Sequence, residues 1–224
     1  MIINIIIQAR TSSKRFRSKV LINLFKERMI LYFVKRLQNL RFVNKVIVAT
    51  SNENSDNKLY EILEKNNIFV YRGPLNNVYL RYRNCLFIHK CDYFIRLSAD
   101  SPFVNLNLIQ KFIYIVRNNK GIDILTNIKN KTFPKGQSIE ICNTKKFIKL
   151  KNYIKTHSEK EHVTKFFYNN ISKFKLLIVK PNFEIQRQYY NSCIDYPNDI
   201  FLSKKFINNK VLKNLHKNLK LSKI

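Results

Sequence analysis

Hydrophobic runs of strand length alternate with amphipathic stretches along most of the chain. The runs predict five buried strands, at Met1–Ile7, Val46–Thr50, Ile68–Tyr71, Tyr93–Leu97 and Ile122–Leu125. Apolar residues at helical spacing predict helices near residues 28–40, 55–66, 75–90 and 105–118. Strands separated by helices of this length are joined by right-handed βαβ crossovers. The pattern therefore predicts an α/β fold, with a mainly parallel central sheet flanked by helices.

The alternation weakens after about residue 130. Thr132–Gly136 predicts a turn, and Gln137–Cys142 alternates like a strand with one exposed face. The remaining predicted elements are a helix near 158–170 and strands near 174–180 and 190–195. Because the sequence contains no linker, low-complexity tract or internal repeat, we expect one domain over residues 1–207.

The last residues combine apolar and basic side chains. Val211, Leu212, Leu215 and Leu219 lie among lysines, which predicts a basic amphipathic helix over residues 208–224, docked on the body of the protein. A helix that binds a membrane surface or a partner is the alternative interpretation of the same pattern.

The charge of the chain is strongly positive. Its 42 Lys and Arg against 14 Asp and Glu give a formal net charge of +28, which invites a nucleic-acid interpretation. The cations are spread along the whole chain, however, and the abundant Asn, Ile, Lys, Phe and Tyr all have AT-rich codons, so mutational bias alone can produce this composition. No specific nucleic-acid partner is expected. The charge should still attract anionic ligands and make their binding salt-dependent.

The cysteines and the N terminus bear on the cellular compartment. The four cysteines show no CxxC pairing or regular spacing, and no secretory signal is apparent, so we expect reduced cysteines in a cytoplasmic protein. Met1–Ile7 is apolar but too short to span a bilayer. We therefore expect no membrane span.

A basic loop follows the first predicted strand. Residues 8–19 carry five cations and several serines, directly after the apolar run that ends at Ile7. Loops at the carboxyl ends of central strands are where α/β folds bind ligands. Backbone N–H groups, hydroxyls and cations there would suit a polyphosphate. An ordinary basic surface loop is the alternative.

Two aspartates follow later predicted strands. Asp100 comes after Tyr93–Leu97 and precedes Pro102, and Asp195 ends the predicted strand near 190–195 and precedes Pro197. Either carboxylate could hold Mg²⁺ against phosphate oxygens, or could simply cap the next turn or helix. Together with the basic loop, they suit metal-assisted transfer from a nucleoside triphosphate.

Several motifs carry a family resemblance. Gln8-Ala9-Arg10 with Ser13, Arg15 and Lys19 resembles the QARxxSxRxxxK loop of the cytidylyltransferases related to spore-coat polysaccharide protein F, which are relatives of the acylneuraminate and Kdo cytidylyltransferases. The other matching segments, in the family's order, are Ala49–Ser51 with Asp56, Tyr71–Gly73 with Val78, Leu80, Arg81 and Tyr82, Arg96–Pro102, Phe133–Gly136 with Glu140, Glu161–Thr164, and Asp195–Asp199.

The resemblance implies a Rossmann-like nucleotide-diphosphosugar-transferase fold and a Mg²⁺-dependent cytidylyltransferase. The implied reaction joins CTP to an acidic sugar of the nonulosonic (sialic) type, giving a CMP-sugar and pyrophosphate for surface polysaccharide biosynthesis. A homodimer is a further family expectation. The alternatives are the same fold used as a nucleotide-sugar-dependent glycosyltransferase, and a non-catalytic nucleic-acid-binding protein.

The resemblance also implies a set of site residues. The catalytic residues would be Arg10, Lys19 and Asp100, and the metal ligands Asp100 and Asp195. The nucleotide-binding residues would be Gln8, Ala9, Arg10, Ser12, Ser13, Arg15, Lys19, Arg72, Gly73 and Ser98. The sugar-binding candidates would be Gln137, Glu140 and His162, although they could equally be polar residues on a strand face and a histidine at a helix start. In one place the loop departs from the family, because Arg17-Ser18 stands where Pro-Gly usually precedes the lysine. Losing that glycine could stiffen the loop or change how closely its backbone approaches phosphate.

Overall fold

A computed structural model describes residues 1–129, 132–182, 191–206, 210–217 and 219–223. The strands in these residues are β1 Ile3–Gln8, β2 Asn23–Leu24, β3 Glu27–Arg28, β4 Lys45–Ser51, β5 Phe69–Gly73, β6 Tyr93–Ser98, β7 Ile124–Thr126, β8 Glu140–Asn143, β9 Leu176–Pro181 and β10 Leu219–Lys223. The α-helices are α1 Met29–Gln38, α2 Asn57–Lys65, α3 Val78–Ile88, α4 Leu106–Asn118, α5 Thr144–Lys149, α6 His157–Glu161, α7 Lys165–Asn169, α8 Pro197–Phe206 and α9 Lys210–Lys213.

Eight of these strands form one sheet, in the order β10-β9-β7-β8-β6-β1-β4-β5. β1 pairs in parallel with both β4 and β6, and β5 extends the parallel part beyond β4. β8 is antiparallel to β6 and β7, and β10 is antiparallel to β9. The predicted α/β fold with a mainly parallel central sheet is confirmed. Its parallel centre brings the carboxyl ends of β1, β4, β5 and β6 to the same edge.

The central strand β1 is apolar because helices cover both faces of the sheet. Ile5 and Ile7 point into a core that includes α1 and α4, whereas Ile6 points into a second core that includes α3 and α5. Phe33 of α1 belongs to the first core and Phe147 of α5 to the second. The alternation of side chains along one strand therefore ties the two helical layers together.

The segment after the undescribed residues 183–190 differs from its prediction. Asn191 makes one isolated parallel bridge with Lys135, and residues 192–195 are not in a strand. The Ile194 N–H instead donates to the Asp100 carbonyl at 2.7 Å. The segment therefore crosses the end of the sheet, and this contact brings the two aspartate segments together.

The predicted helix over residues 208–224 is wrong for most of its length. Helix α9 covers only Lys210–Lys213, and Leu219–Lys223 is the edge strand β10. Leu219 and Leu221 alternate with Lys220 and Ser222, a period of two that suits a strand, and β9 supplies the backbone partner. Among the described residues, no helix is long and apolar enough to cross a membrane.

Candidate active site

A cleft of about 130 Å³ lies at the carboxyl ends of β1 and β6. Many of its lining residues belong to the predicted site, namely Gln8, Ala9, Arg10, Ser13, Arg15, Lys19, Ser98 and Asp100. The remaining lining residues are Val78, Arg81, Ala99 and Glu161. Cations outnumber carboxylates in this space, so the cleft should attract polyanions.

The loop after β1 is fixed by a buried aspartate. The backbone N–H and the hydroxyl of Thr11 both donate to Asp56 Oδ1 at 2.7 Å, and Ser51 donates to the other carboxylate oxygen. Burial alone would raise the pKa of Asp56, but these hydrogen bonds outweigh it and lower the pKa. Asp56 therefore stays ionised and positions the loop, which explains its place in the motif.

Ser18 occupies the position of the missing glycine and adopts the backbone conformation that glycine favours. Its φ of 56° and ψ of 22° lie in the left-handed region, and its N–H donates to the Thr11 carbonyl at 2.8 Å. The turn is thus retained with a serine, at a conformational cost of roughly 1 kcal/mol. On the same loop, the exposed Ser12 lines a separate cavity of about 320 Å³ with Arg17 and Ser55, outside the cleft.

Lys19 joins the two predicted metal ligands. Its buried ammonium donates to Asp195 Oδ1 at 3.1 Å, to Asp100 Oδ2 at 3.3 Å and to the Ile194 carbonyl at 2.8 Å. These contacts use all three ammonium protons. Lys19 therefore holds the carboxylates together, and it would have to give up one of these bonds to contact a phosphate.

Two further cationic side chains contact Asp195. Arg15 Nη2 lies 2.8 Å from Oδ1, and Lys135 Nζ lies 2.7 Å from Oδ2. Burial alone would raise the pKa of Asp195, but hydrogen bonds from Lys135 and Lys19 lower it below its ordinary value. The sequence analysis did not select Lys135. This residue stands at the variable position of the FPxG segment, and its place within that motif is the one signal that could have identified it.

The two aspartates fit a divalent cation by donor type. Ligand atoms of Asp100, Asp195 and Cys193 all lie within 4.8 Å of one another. Carboxylate oxygens are the ligands that Mg²⁺ prefers. Burial, with the two nearby aspartates, raises the pKa of the Cys193 thiol, which therefore stays protonated and is a poor ligand. The carboxylates alone would therefore hold the ion.

Arg72 and Gly73 lie beside the cleft rather than in its lining. The Arg72 guanidinium donates to the Ser51 and Glu53 carbonyls, each at 3.0 Å, and so ties the end of β5 to the loop after β4. A Cβ at Gly73 would lie 2.9 Å from the side chain of Arg81, so the glycine allows that arginine to pack closely. Arg81 donates to the Pro74 carbonyl from two nitrogens, at 3.1 and 2.9 Å, and itself lines the cleft.

The predicted sugar-binding residues lie outside the cleft lining. Gln137 is fully buried, and its amide donates to the Phe103 carbonyl at 3.1 Å and to Ser192 Oγ at 2.6 Å. Its side-chain oxygen accepts the Asn105 N–H at 2.8 Å. His162 is an exposed residue just after α6. The side-chain amide of Gln137 thus already has hydrogen-bond partners, and through them it joins three loops.

Glu140 is also an internal residue, only 1% exposed. Its carboxylate accepts hydrogen bonds from Arg96 Nη1 at 2.7 Å, from Thr164 Oγ1 at 2.7 Å and from the Tyr168 hydroxyl. Arg96 Nη2 continues the network to Gln8 Oε1 at 3.0 Å, and Gln8 lines the cleft. Burial opposes the Arg96 charge, but Glu140 outweighs burial and raises the pKa of Arg96. The Arg96–Glu140 pair therefore lies inside the protein and positions Gln8 at the cleft.

Glu161 is a cleft residue that sequence reasoning did not select. Its Oε1 lies 3.5 Å from Arg10 Nη2, across the cleft from the loop after β1. The sequence carries a signal for it, because Glu161 begins the EHVT segment, in which the resemblance points to the neighbouring His162.

Two solved structures that share this fold are a cytidylyltransferase and a CMP-sugar-acid synthetase. A cytidylyltransferase from Leptospira borgpetersenii superposes with a TM-score of 0.85 at 29% identity, covering 95% of this chain and 90% of that one. A CMP:2-keto-3-deoxy-manno-octonic acid synthetase complexed with CTP shares the fold, with a TM-score of 0.67 at 13% identity over 92% of this chain and all of its own.

The sequence comparison identifies the family. A family model described as cytidylyltransferase matches residues 4–221, so the chain belongs to the cytidylyltransferase family, as its motifs predicted. The spore coat polysaccharide biosynthesis protein SpsF of Bacillus subtilis is 28% identical over 199 residues, which are 87% of this chain and 81% of that protein. An uncharacterised protein of Methanocaldococcus jannaschii is 29% identical over 198 residues, 88% of this chain and 79% of its own.

Proposed function

We propose that this cytidylyltransferase transfers the CMP group of CTP to a hydroxyl of an acidic sugar of the nonulosonic type, for a surface polysaccharide. The observation that carries the proposal is the meeting of Arg10, Arg15 and Lys19 with Asp100 and Asp195 at one sheet edge. The names of SpsF and of the octonic acid synthetase support a sugar acceptor in polysaccharide chemistry.

In the proposed reaction, the sugar hydroxyl attacks the α-phosphorus of CTP. A new O–P bond forms as the α,β-phosphoanhydride bond breaks, pyrophosphate leaves, and the hydroxyl proton passes to solvent. Such a transfer depends on positioning and charge neutralisation rather than on covalent catalysis by the protein. Arg10 and Arg15, both partly exposed, are available to neutralise phosphate oxygens.

Asp100 and Asp195 would hold the Mg²⁺ ion, which would neutralise phosphate charge when bound. Lys19 holds the two carboxylates close together, because its ammonium contacts both, and it would have to release one of their oxygens for the ion to bind. Lys135 keeps Asp195 ionised from the exposed side of the cluster. The presence of two neighbouring carboxylates, Asp100 and Asp195, among the cations favours this chemistry over simple binding of nucleic acid.

The test is pyrophosphate release from CTP and Mg²⁺ with a panel of nonulosonic acids and neutral sugars. Asp100→Asn should abolish turnover with the fold retained. Asp92→Asn is the matched control, because Asp92 is an exposed aspartate just before β6 whereas Asp100 lies just after it. Release with neutral sugars alone would remove the acidic-sugar part of the proposal. No turnover, together with tight and salt-sensitive binding of RNA or DNA, would overturn the enzyme assignment.

A further inference from the structure

A cavity of about 600 Å³ lies along helix α4 and shares no lining residue with the catalytic cleft. It follows α4 from Asn107 to Tyr114, about 10 Å along the helix axis. The turn between α1 and β4 and the segment after α9 form its other walls. Besides Asn107, the residues that line it are Arg41, Phe42, Gln110, Lys111, Tyr114 and His216. The cavity has the size of a small-molecule site, and the proposed reaction makes no use of it.

Two aromatic rings of this cavity are exposed. Phe42 is 53% exposed and Tyr114 is 59% exposed. Phe42 has a φ of 66°, in the left-handed region that is uncommon for bulky side chains, so the turn presents this ring at a conformational cost. Arg117 Cζ lies 4.1 Å from the centroid of the Phe42 ring, and Lys111 Nζ lies 5.8 Å from that of Tyr114. A cation over a ring covers one face, so both rings keep surface on which a planar group can stack.

The charge of the cavity selects for an anion. Arg41 and Lys111 line it, and none of its described lining residues is acidic. His216 adds a ring nitrogen, Nδ1, which is buried and has no hydrogen-bond partner within the part of the chain that the structure describes. A second copy of this chain, with its net charge of +28, would be repelled from this surface. The complementary ligand is therefore an anion that also carries a planar ring.

The turn that carries Arg41 and Phe42 is fixed to α4. The Arg41 N–H donates to Gln110 Oε1 at 3.0 Å, and Gln110 Nε2 donates to the Arg41 carbonyl at 3.3 Å. Two residues further on, the Asn44 N–H donates to the Ile3 carbonyl at 2.8 Å, at the start of β1. The backbone that presents the ring and the cation is thus held on both sides, and the cavity is preformed.

We propose that this cavity is a second ligand site, which binds a planar aromatic anion of the size of a nucleoside monophosphate. The ring of the ligand stacks on Tyr114 and Phe42, and its phosphate binds Arg41 and Lys111. The cavity follows only about two turns of α4, which gives room for one such unit and favours a free nucleotide over a strand of nucleic acid. The site does not depend on the reaction proposed for the catalytic cleft.

The experiment measures the binding of AMP, adenosine and ribose 5-phosphate to the full chain by calorimetry, without Mg²⁺ or CTP. AMP carries both the ring and the phosphate, whereas each of the others lacks one of them and should bind about tenfold more weakly. Tyr114→Ala should weaken AMP binding about tenfold, because a stacking surface is lost while alanine preserves the helix. Lys111→Ala should weaken it about fivefold at low salt, and this difference should disappear at high salt.

Two control variants match these changes outside the cavity. Phe87→Ala removes a ring of α3 that is 48% exposed and has Arg83 Cζ 4.6 Å from its centroid, so it resembles Tyr114 in exposure and in its cation contact. Lys58→Ala removes an exposed cation of α2. Both controls should leave the affinity for AMP unchanged.

Several results would decide against the inference. It is overturned if the parent binds no AMP, or if AMP binding survives both Tyr114→Ala and Lys111→Ala, which would place the nucleotide elsewhere. Equal affinity for AMP and ribose 5-phosphate would also overturn it, since attraction of the anion alone would then explain the binding. If an adenine hexanucleotide bound more than about tenfold tighter than AMP and lost that advantage in Tyr114→Ala, the occupant would be a strand of nucleic acid and not a free nucleotide. The comparison of AMP with ribose 5-phosphate uses the unaltered protein, so it does not depend on how well a variant folds.

Discussion

Changing Glu140 to glutamine tests whether this residue is an internal counter-ion or a sugar ligand. The substitution keeps the shape of the side chain and removes its charge. Arg96 then loses the carboxylate that lies 2.7 Å from its Nη1, and the Thr164 and Tyr168 hydroxyls face an amide. The Arg96 side chain is only 20% exposed, so water can replace the lost partner only in part.

The expected loss of stability follows from that geometry. Removing one partner of a buried ion pair costs about 3–5 kcal/mol, since the other charge stays buried without compensation. The remaining exposure of Arg96 and its bond to Gln8 reduce this, and we expect about 2–4 kcal/mol. Urea unfolding followed by circular dichroism should then show a midpoint lower by about 1 M.

Two control variants should each cost less than this. Thr164→Val removes one hydrogen bond of the network and should cost about 1 kcal/mol. Glu27→Gln breaks the exposed pair with Lys35 and should cost about 1 kcal/mol or less. If Glu140→Gln were as stable as the parent and instead raised the KM for the sugar, the counter-ion assignment would be refuted.

Two further predictions concern the same end of the sheet. Gly136→Ala should cost about 2–4 kcal/mol in thermal unfolding, because φ is +86° and an added Cβ would meet backbone atoms at 2.6 Å. Gly121→Ala, with φ of +74° and the nearest atom 3.9 Å away, should cost only about 1 kcal/mol, and equal costs would contradict this reasoning. Lys135→Met should raise the pKa of Asp195 in the folded protein. In the parent, this folded pKa lies below the unfolded value of about 3.9. The ionised carboxylate therefore stabilises the fold above about pH 3.9, and this stabilisation is lost as the pH falls through the folded pKa. The variant should therefore be less stable than the parent in urea near neutral pH, with a difference that shrinks in acid, and a difference independent of pH would count against the ion pair.

Much of the fold could be predicted from periodicity alone. The strand Ile3–Gln8 and the helix Met29–Gln38 appear close to their predicted bounds, since the strand is almost fully buried and the helix buries the apolar face that its pattern predicts. The end of the chain could not be predicted in this way. Its leucines fit both a helical and an alternating pattern, and only pairing with Leu176–Pro181 selects the strand.

The candidate site also has a part that the sequence predicts and a part that it does not. The loop residues Arg10, Arg15 and Lys19 and the strand-end Asp100 are recognisable from motif and position, and the structure gathers them in one cleft. Asp195 does not line the cleft but pairs with Arg15 and Lys19, and the bond from the Ile194 N–H to the Asp100 carbonyl holds its segment there. That contact joins residues far apart in the chain, so the motif alone did not show it.

The alternation of strands and helices, the family motifs and the charged residues of the cleft can all be found in the amino-acid sequence. Those features depend on the spacing of residues along the chain, which does not depend on how the chain folds. Other features follow from the folded arrangement alone: Glu140 binds Arg96 and Gln137 binds Ser192 inside the protein. Lys135 contacts Asp195, and Glu161 faces Arg10. Burial and pairing depend on which distant segments meet, and side chains of the same type take opposite roles according to what they meet.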